Sequence, residues 1–340
     1  MSISRRQFLA GSGGAGLAAL GGGVCPNPAA AQDAKFFRIA SGPTESSLFQ
    51  AGTLIGQVVS SPPGARDCAR GGSCGVPGMI AVNQTTAGSL ANLELLTTGK
   101  IDSVLCQSDL AYAAFTGKGT WRGKAGTDKL RVLAYLYPET LHVIVRKSAK
   151  IGDLRGLRGK AVSLGERESG MANNARALLA AAGVQERDLR AQYLKTAEAI
   201  EAMKAGKLDA FFETAVVPSS LVRELAADQD ITLLPLGGLV ARLRQELPFL
   251  TETTIPADAY PDTPETKAVS VGILWVVNES LADPVAQGLV RALWHPNNRR
   301  TIDNNERLGR LIRPESAADG FGLPLHQGAL TYYQNAGLTR

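Results

Sequence analysis

Met79-Ile80-Ala81-Val82-Asn83-Gln84-Thr85-Thr86-Ala87-Gly88-Ser89-Leu90-Ala91-Asn92-Leu93 sets the pattern for the chain. Four apolar residues read as a strand, a Thr/Gly/Ser turn follows, and a helix begins near Ser89. Thr85, Thr86 and Ser89 are residue types that cap helices, and Gly88 lets the backbone approach a guest. A helix start leaves N–H groups unpaired at the positive end of its dipole, where a small anion such as a carboxylate fits. An ordinary capped helix has the same sequence, so this stretch gains weight only by repetition.

The unit does repeat. Residues 36–41 predict a strand, Gly42-Pro43-Thr44-Glu45-Ser46-Ser47 a turn, and residues 48–59 an amphipathic helix. Residues 101–107 predict a strand, with Ser108-Asp109 opening a helix. A strand at 130–137 reaches Pro138-Glu139 and continues over 141–146. After Lys150 the pattern starts afresh with a strand at 160–164, a turn at 165–170 and an alanine-rich helix at 171–182. A helix at 197–205, a strand at 208–212, a turn at 213–218, a helix at 219–227 and a strand at 231–236 follow. The last third offers a buried strand at 269–277, helices at 282–293 and around 297–307, and a terminal helix at 327–338. Strands alternating with helices predict an α/β fold in two halves, each a mostly parallel sheet covered by helices. Guests of such sheets sit at the carboxyl ends of the strands. Five polar turns lie there, at 42–47, 85–89, Gln107-Ser108, 165–170 and 213–218, and a cleft between two lobes uses all five.

Composition narrows the partners. The 36 Lys+Arg, less Arg5 and Arg6 of the N-terminal segment, leave 34 against 31 Asp+Glu. With no basic run or basic-aromatic stripe, nucleic acid is not expected as a partner. Ser4-Arg5-Arg6-Gln7-Phe8-Leu9-Ala10, a Gly/Ala/Leu-rich run to Val24 and Ala29-Ala30-Ala31 have the pattern of a twin-arginine export leader spanning residues 1–31. The run is too short and too glycine-rich for a stable span, and Cys25 follows Gly-Gly-Val, a poor lipid-anchor signal. The expected address is the periplasm. In that oxidising compartment, Cys68-Ala69-Arg70-Gly71-Gly72-Ser73-Cys74 is most economically a local disulfide. His142, His295 and His326 are scattered, so no metal site is expected, and no cofactor motif is present. Trp121, among Gly and Lys, is expected in an exposed loop, and Trp275 and Cys106 in the core.

Four elements then match a family in order and spacing. They are Thr86-Ala87-Gly88-Ser89 with Asn92; Gly99-Lys100-Ile101-Asp102 followed by Gln107-Ser108-Asp109; Leu136-Tyr137-Pro138-Glu139 followed by Leu141-His142-Val143; and Gly206-Lys207-Leu208-Asp209-Ala210-Phe211-Phe212. From about residue 36 to its end the chain resembles the solute receptors of tripartite ATP-independent (TRAP) transporters, TAXI branch. The resemblance implies a two-lobe periplasmic-binding-protein fold of type II, with lobe 1 at 35–140 plus 256–340 and lobe 2 at 141–255. It implies a monomer that closes about a hinge on a small carboxylate or amino acid, docks transiently on TRAP membrane subunits, and catalyses nothing. The expected ligand contacts are Thr44, Ser47, Thr86, Gly88, Ser89, Asn92, Gln107, Ser169, Gly170, Met171, Phe212 and Glu213.

The chain departs from the family pattern at two turns. Pro43 and Glu45 replace glycines, and Glu166-Arg167-Glu168-Ser169-Gly170-Met171 replaces a Pro/Gly/Ser/Thr turn. Glu45, Glu168 and Glu213 then put three acids near the cleft, which disfavours a highly charged anion and suits a ligand with an amine beside its carboxylate. The same fold also serves sensors that transport nothing. Gly71-Gly72-Ser73-Cys74-Gly75 fits the nucleophile pattern of serine hydrolases, but Asp67 and Arg70 stand where that motif needs an apolar strand.

Overall fold

The computed structural model describes residues 34–246, 249–318 and 322–339, so the expected leader and Cys25 lie outside the described residues. The chain runs β1 (Lys35–Ala40), α1 (Ser47–Val59), β2 (Ser60–Ser61), β3 (Val76–Pro77), β4 (Met79–Gln84), α2 (Ser89–Thr97), β5 (Ser103–Gln107) and α3 (Ser108–Phe115). The long β6 (Leu130–Arg146) follows, then β7 (Ala161–Ser163), α4 (Gly170–Ala181), β8 (Arg190–Gln192), α5 (Thr196–Lys204), β9 (Ala210–Ala215) and α6 (Ser220–Asp228). The remainder is β10 (Ile231–Leu233), α7 (Val240–Glu246), β11 (Thr251–Ile255), β12 (Thr266–Asn278), α8 (Asp283–Leu293), α9 (Pro296–Asp303) and α10 (Gln327–Asn335).

All the strands belong to one sheet, ordered β3-β2-β4-β1-β5-β12-β6-β9-β7-β8, with β10 added beside β6 and β11 beside β12. Parallel pairing dominates within each half: β1 pairs β4 and β5 in the first, where the short β2 pairs β4 antiparallel, and β7 pairs β8 and β9 in the second. Two long antiparallel strands join the halves. β12 pairs β5 and β6, and β6 pairs β9, so the sheet is mixed where the sequence pattern predicted mostly parallel strands. Helix alternation is visible in a sequence, but a strand that crosses from one half to the other leaves no helix to mark the change of direction.

Strand parity builds the core. Leu105 and Trp275 face one apolar cluster with Ile39, Ile55 and Tyr137, while their neighbours Val104 and Leu274 face another with Leu93, Leu96 and Trp121. In the second half Val143 and Phe212 face one cluster, and Ile144 and Phe211 the opposite one. Successive side chains of a strand point to opposite faces, so each strand feeds two layers. Trp121, expected in an exposed loop, is 2% exposed and packs among these residues. Its local Gly/Lys setting does not reveal burial that comes from α2 and α3. Trp275 and Cys106 are fully buried.

The expected lobe boundaries fall inside β6, at Thr140/Leu141, and directly after β11. Among the described residues no helix is long and apolar enough to cross a membrane.

Candidate functional site

Six strand-to-helix connections converge on one cavity. Ser47 and Leu48 begin α1, Ser89 begins α2, and Gln107 ends β5 at the start of α3. Ser169, Gly170 and Met171 begin α4, Lys195 and Thr196 begin α5, and Ser219, Ser220 and Leu221 begin α6. The N–H groups at the start of each helix have no partner within that helix, and each start is the positive end of a dipole. The cavity encloses about 80 Å³, room for a few waters or a small organic solute. The sixth connection, from β8 to α5, was not among the expected turns. Three residues of strand at Arg190–Gln192 are too short to show a period.

The opposing sides of the cavity touch. The Ala91 N–H donates to the Glu168 carbonyl at 3.3 Å, and Asn174 Nδ2 donates to Gln107 Oε1 at 3.0 Å. A Cβ on Gly88 would lie 3.6 Å from Ser169 Cα, and one on Gly170 would meet Gln107 Oε1 at 2.2 Å. Helix α2 is capped by Gly88 at φ 120°, not by a side chain. Ser89 Oγ instead accepts the Gln107 N–H at 3.2 Å, and Thr86 Oγ1 accepts the Gly88 N–H at 3.1 Å. Ser169 Oγ does cap α4, accepting the Ala172 N–H at 3.0 Å.

Of the expected contacts, Ser47, Gly88, Ser89, Gln107, Ser169, Gly170, Met171 and Glu213 line this cavity. Four do not. Asn92 is fully buried, donating to the Ser41 and Leu105 carbonyls and accepting from Thr86 Oγ1 at 2.6 Å, so it ties β1, β5 and the β4 turn together. Thr86 is occupied by Asn92 and Gly88. Thr44 is exposed and donates to Glu45. Phe212 belongs to a core cluster, because its neighbour Glu213 takes the face that meets the cavity. Glu168 offers its backbone to Ala91 while its side chain lies outside the cavity, whereas Glu45 lines it as expected. Ser73 Oγ donates to the Ser60 carbonyl and accepts from the Gly75 N–H at 3.2 Å, the bonds of a loop-holding hydroxyl. Cys68 and Cys74 are joined by a disulfide with Cα atoms 4.6 Å apart.

The cavity also holds residues that sequence reading did not assign. Glu139, in the middle of β6, is 1% exposed and accepts from Ser47 Oγ. Burial raises its carboxyl to about 8, Ser47 opposes the rise, nearby Glu213 adds to it, and Arg307 opposes it. Glu213, accepting from Thr196 Oγ1, is raised to about 7, again chiefly by burial. Glu166 is also raised, by burial first, with Lys195 opposing. Arg307, beyond α9, reaches the cavity from the C-terminal part of the chain. Its Nη1 donates to Ser220 Oγ at 3.3 Å and its Nε has no partner, and among the described residues no carboxylate pairs with it. The result is a pocket of helix starts and a guanidinium with no carboxylate partner among the described residues, faced by two buried carboxyls whose hold on a proton burial has strengthened.

Behind the site, the Ser219 N–H donates to Tyr260 Oη at 2.9 Å. Tyr260 Oη lies 2.8 Å from His142 Nε2, and His142 Nδ1 lies 2.9 Å from the Thr140 carbonyl. The carbonyl can only accept, so Nδ1 carries the hydrogen and Nε2 accepts from Tyr260. Burial lowers His142 to about 4, keeping it neutral in that role.

Residues 39–337 match the model of the NMT1-like family. The chain belongs to that family. Its fold is similar to that of PhnD1 from Prochlorococcus marinus (MIT 9301) in complex with methylphosphonate, at 12% identity and TM-score 0.51, covering 90% of this chain and 99% of that one. A protein from Bordetella bronchiseptica RB50 gives 15% identity and TM-score 0.51 over 90% and 82% of the two chains. The alkanesulfonate-binding protein SsuA from Xanthomonas axonopodis pv. citri bound to MOPS gives 17% and 0.47 over 89% and 84%. The fold is the two-lobe periplasmic-binding-protein α/β fold of type II.

Proposed function

We propose that this protein is an extracytoplasmic solute receptor that closes around a small carboxylate or amino acid and presents it to membrane subunits of a TRAP-type importer. The observation that carries the reading is the convergence of six helix N-termini and the unpaired Arg307 on one cavity. That arrangement stabilises an acid group through N–H donors and the charges of Arg307 and Lys195. Glu139 and Glu213 add acceptors for an amine, or proton donors for a second acid oxygen, and they oppose a dianion. Closure turns on a hinge where β6 passes Tyr137–Leu141 and where the chain leaves β11 near Ile255. The TAXI-like elements support the TRAP partner, and the Ser4–Ala10 stretch supports twin-arginine export to the periplasm.

A thermal-shift screen of amino acids, monocarboxylates, dicarboxylates, sulfonates and methylphosphonate tests the ligand class. A ligand at 100 times its Kd stabilises the fold by about 2.7 kcal/mol. The reading expects amino acids or monocarboxylates to raise Tm most. It fails if only nitrogen-free dianions do. The partner is tested by uptake in reconstituted vesicles, which should follow an imposed ion gradient and ignore ATP.

A further inference from the structure

The Cys68–Cys74 disulfide has polar neighbours of an unusual kind. His295 Nε2 lies 3.6 Å from Cys68 Sγ, and Asn297 Nδ2 lies 3.8 Å from Cys68 Sγ and 3.6 Å from Cys74 Sγ. The Asn297 backbone N–H donates to His295 Nδ1 at 3.2 Å, so neutral His295 carries its hydrogen on Nε2, aimed at the sulfur. The two sulfurs therefore face an imidazole N–H and an amide N–H, which favour a thiolate over a disulfide sulfur. The same tautomer argues against a metal here, because ligation through Nε2 would move the hydrogen to Nδ1 and set it against the Asn297 N–H. Cys68 is half-buried in a loop whose Asp67, Ala69, Arg70 and Gly71 are exposed, so a reagent reaches it.

The loop does not rest on the disulfide alone. Gly72 N–H donates to the Asp67 carbonyl at 2.9 Å and Ser73 N–H to the Arg66 carbonyl at 3.1 Å, while Ser73 Oγ holds the Ser60 carbonyl. These bonds keep the two cysteines adjacent when the sulfur bridge opens.

We propose that Cys68–Cys74 is an exchangeable thiol–disulfide site that reacts with dithiols, with His295 and Asn297 stabilising the thiolates that leave. A thiolate of the dithiol attacks Cys68 Sγ, and the bridge breaks with its electron pair going to Cys74, which accepts from Asn297 Nδ2. The second sulfur of the dithiol attacks its own partner in the mixed disulfide and releases Cys68 as a thiolate, which accepts from His295 Nε2. The dithiol gives up two electrons and becomes a disulfide, the protein disulfide takes up those two electrons as two thiolates, and the two protons of the dithiol pass to solvent. His295 and Asn297 are positioning residues in this exchange.

The test equilibrates the full chain in mixtures of reduced and oxidised dithiothreitol, quenches with an alkylating agent, and reads Cys68 and Cys74 by peptide mass spectrometry. Cys106 is fully buried and reports any unfolding. His295→Asn keeps a capping acceptor for α9, and Asn297→Ala leaves the His295 cap in place. Each should lower the equilibrium constant for reduction about tenfold, the effect of one hydrogen bond to a charged group. In Cys74→Ser the free Cys68 should react with iodoacetamide with an apparent pKa below the ordinary value of about 8.5, returning toward it when His295→Asn is added. Unchanged constants in both variants, an unshifted Cys68 profile, or reduction only alongside exposure of Cys106 would overturn the proposal.

Discussion

Replacing Glu139 by Gln removes one ionisation while keeping an oxygen that accepts from Ser47. The folded protein holds this carboxyl at about 8, against an ordinary 4.5. A carboxyl raised by folding keeps its proton in the folded state where the unfolded chain has released it. The wild type is therefore unpenalised below pH 4.5, loses stability as pH rises toward 8, and loses no more above that. Each pH unit inside the window costs about 1.4 kcal/mol, so the penalty at pH 7 is about 3 kcal/mol. Any fixed effect of the new amide is the same at every pH, and loss of the Glu139 charge eases the ionisation of Glu213, which favours the variant in the same direction as pH rises. The stability difference between Glu139→Gln and wild type should grow in the variant's favour by about 1 kcal/mol per unit from pH 5 to 8. Urea unfolding at pH 5, 6, 7 and 8, followed by far-ultraviolet circular dichroism, measures it. A difference that stays flat with pH, or runs the other way, refutes the picture of a buried, protonated Glu139.

Two further substitutions separate architecture from ligand contact. Asn92→Ala removes a fully buried amide with three partners and should cost about 2–4 kcal/mol in urea unfolding, because the carbonyls of Ser41, just after β1, and Leu105 in β5 lose their donor. Gly170→Ala should lower Tm by a few degrees and weaken ligand binding tenfold or more by titration calorimetry, since its Cβ would displace Gln107 from the Asn174 bond that joins the two sides of the cavity.

The alternating pattern was readable because each long strand and helix carries its own period, and the site followed from where strands hand over to helices. Phe212 is expected at the cavity beside Glu213, but its side chain turns into a core cluster while Glu213 near the strand's end meets the cavity. Asn92 shares a helix with Ser89, but three residues on it turns toward the sheet, where free carbonyls wait. Glu139 was visible in Tyr137-Pro138-Glu139, yet nothing local marks an acid in mid-strand as buried. Arg307 stands outside every turn that the strand-to-helix rule counts, and only the tertiary fold carries it to the cavity. Residues supplied by the first turn of a helix are legible in sequence. Those supplied by packing of distant segments are not.

Native mass spectrometry of protein isolated from the cells that make it, compared with Arg307→Ala prepared the same way, tests the receptor reading most directly. The account predicts that the wild type carries a small organic acid or amino acid, and that the variant has lost it, with an affinity for that compound reduced at least tenfold. Equal occupancy in both proteins, or a wild type that neither carries nor is stabilised by any organic acid, would contradict it.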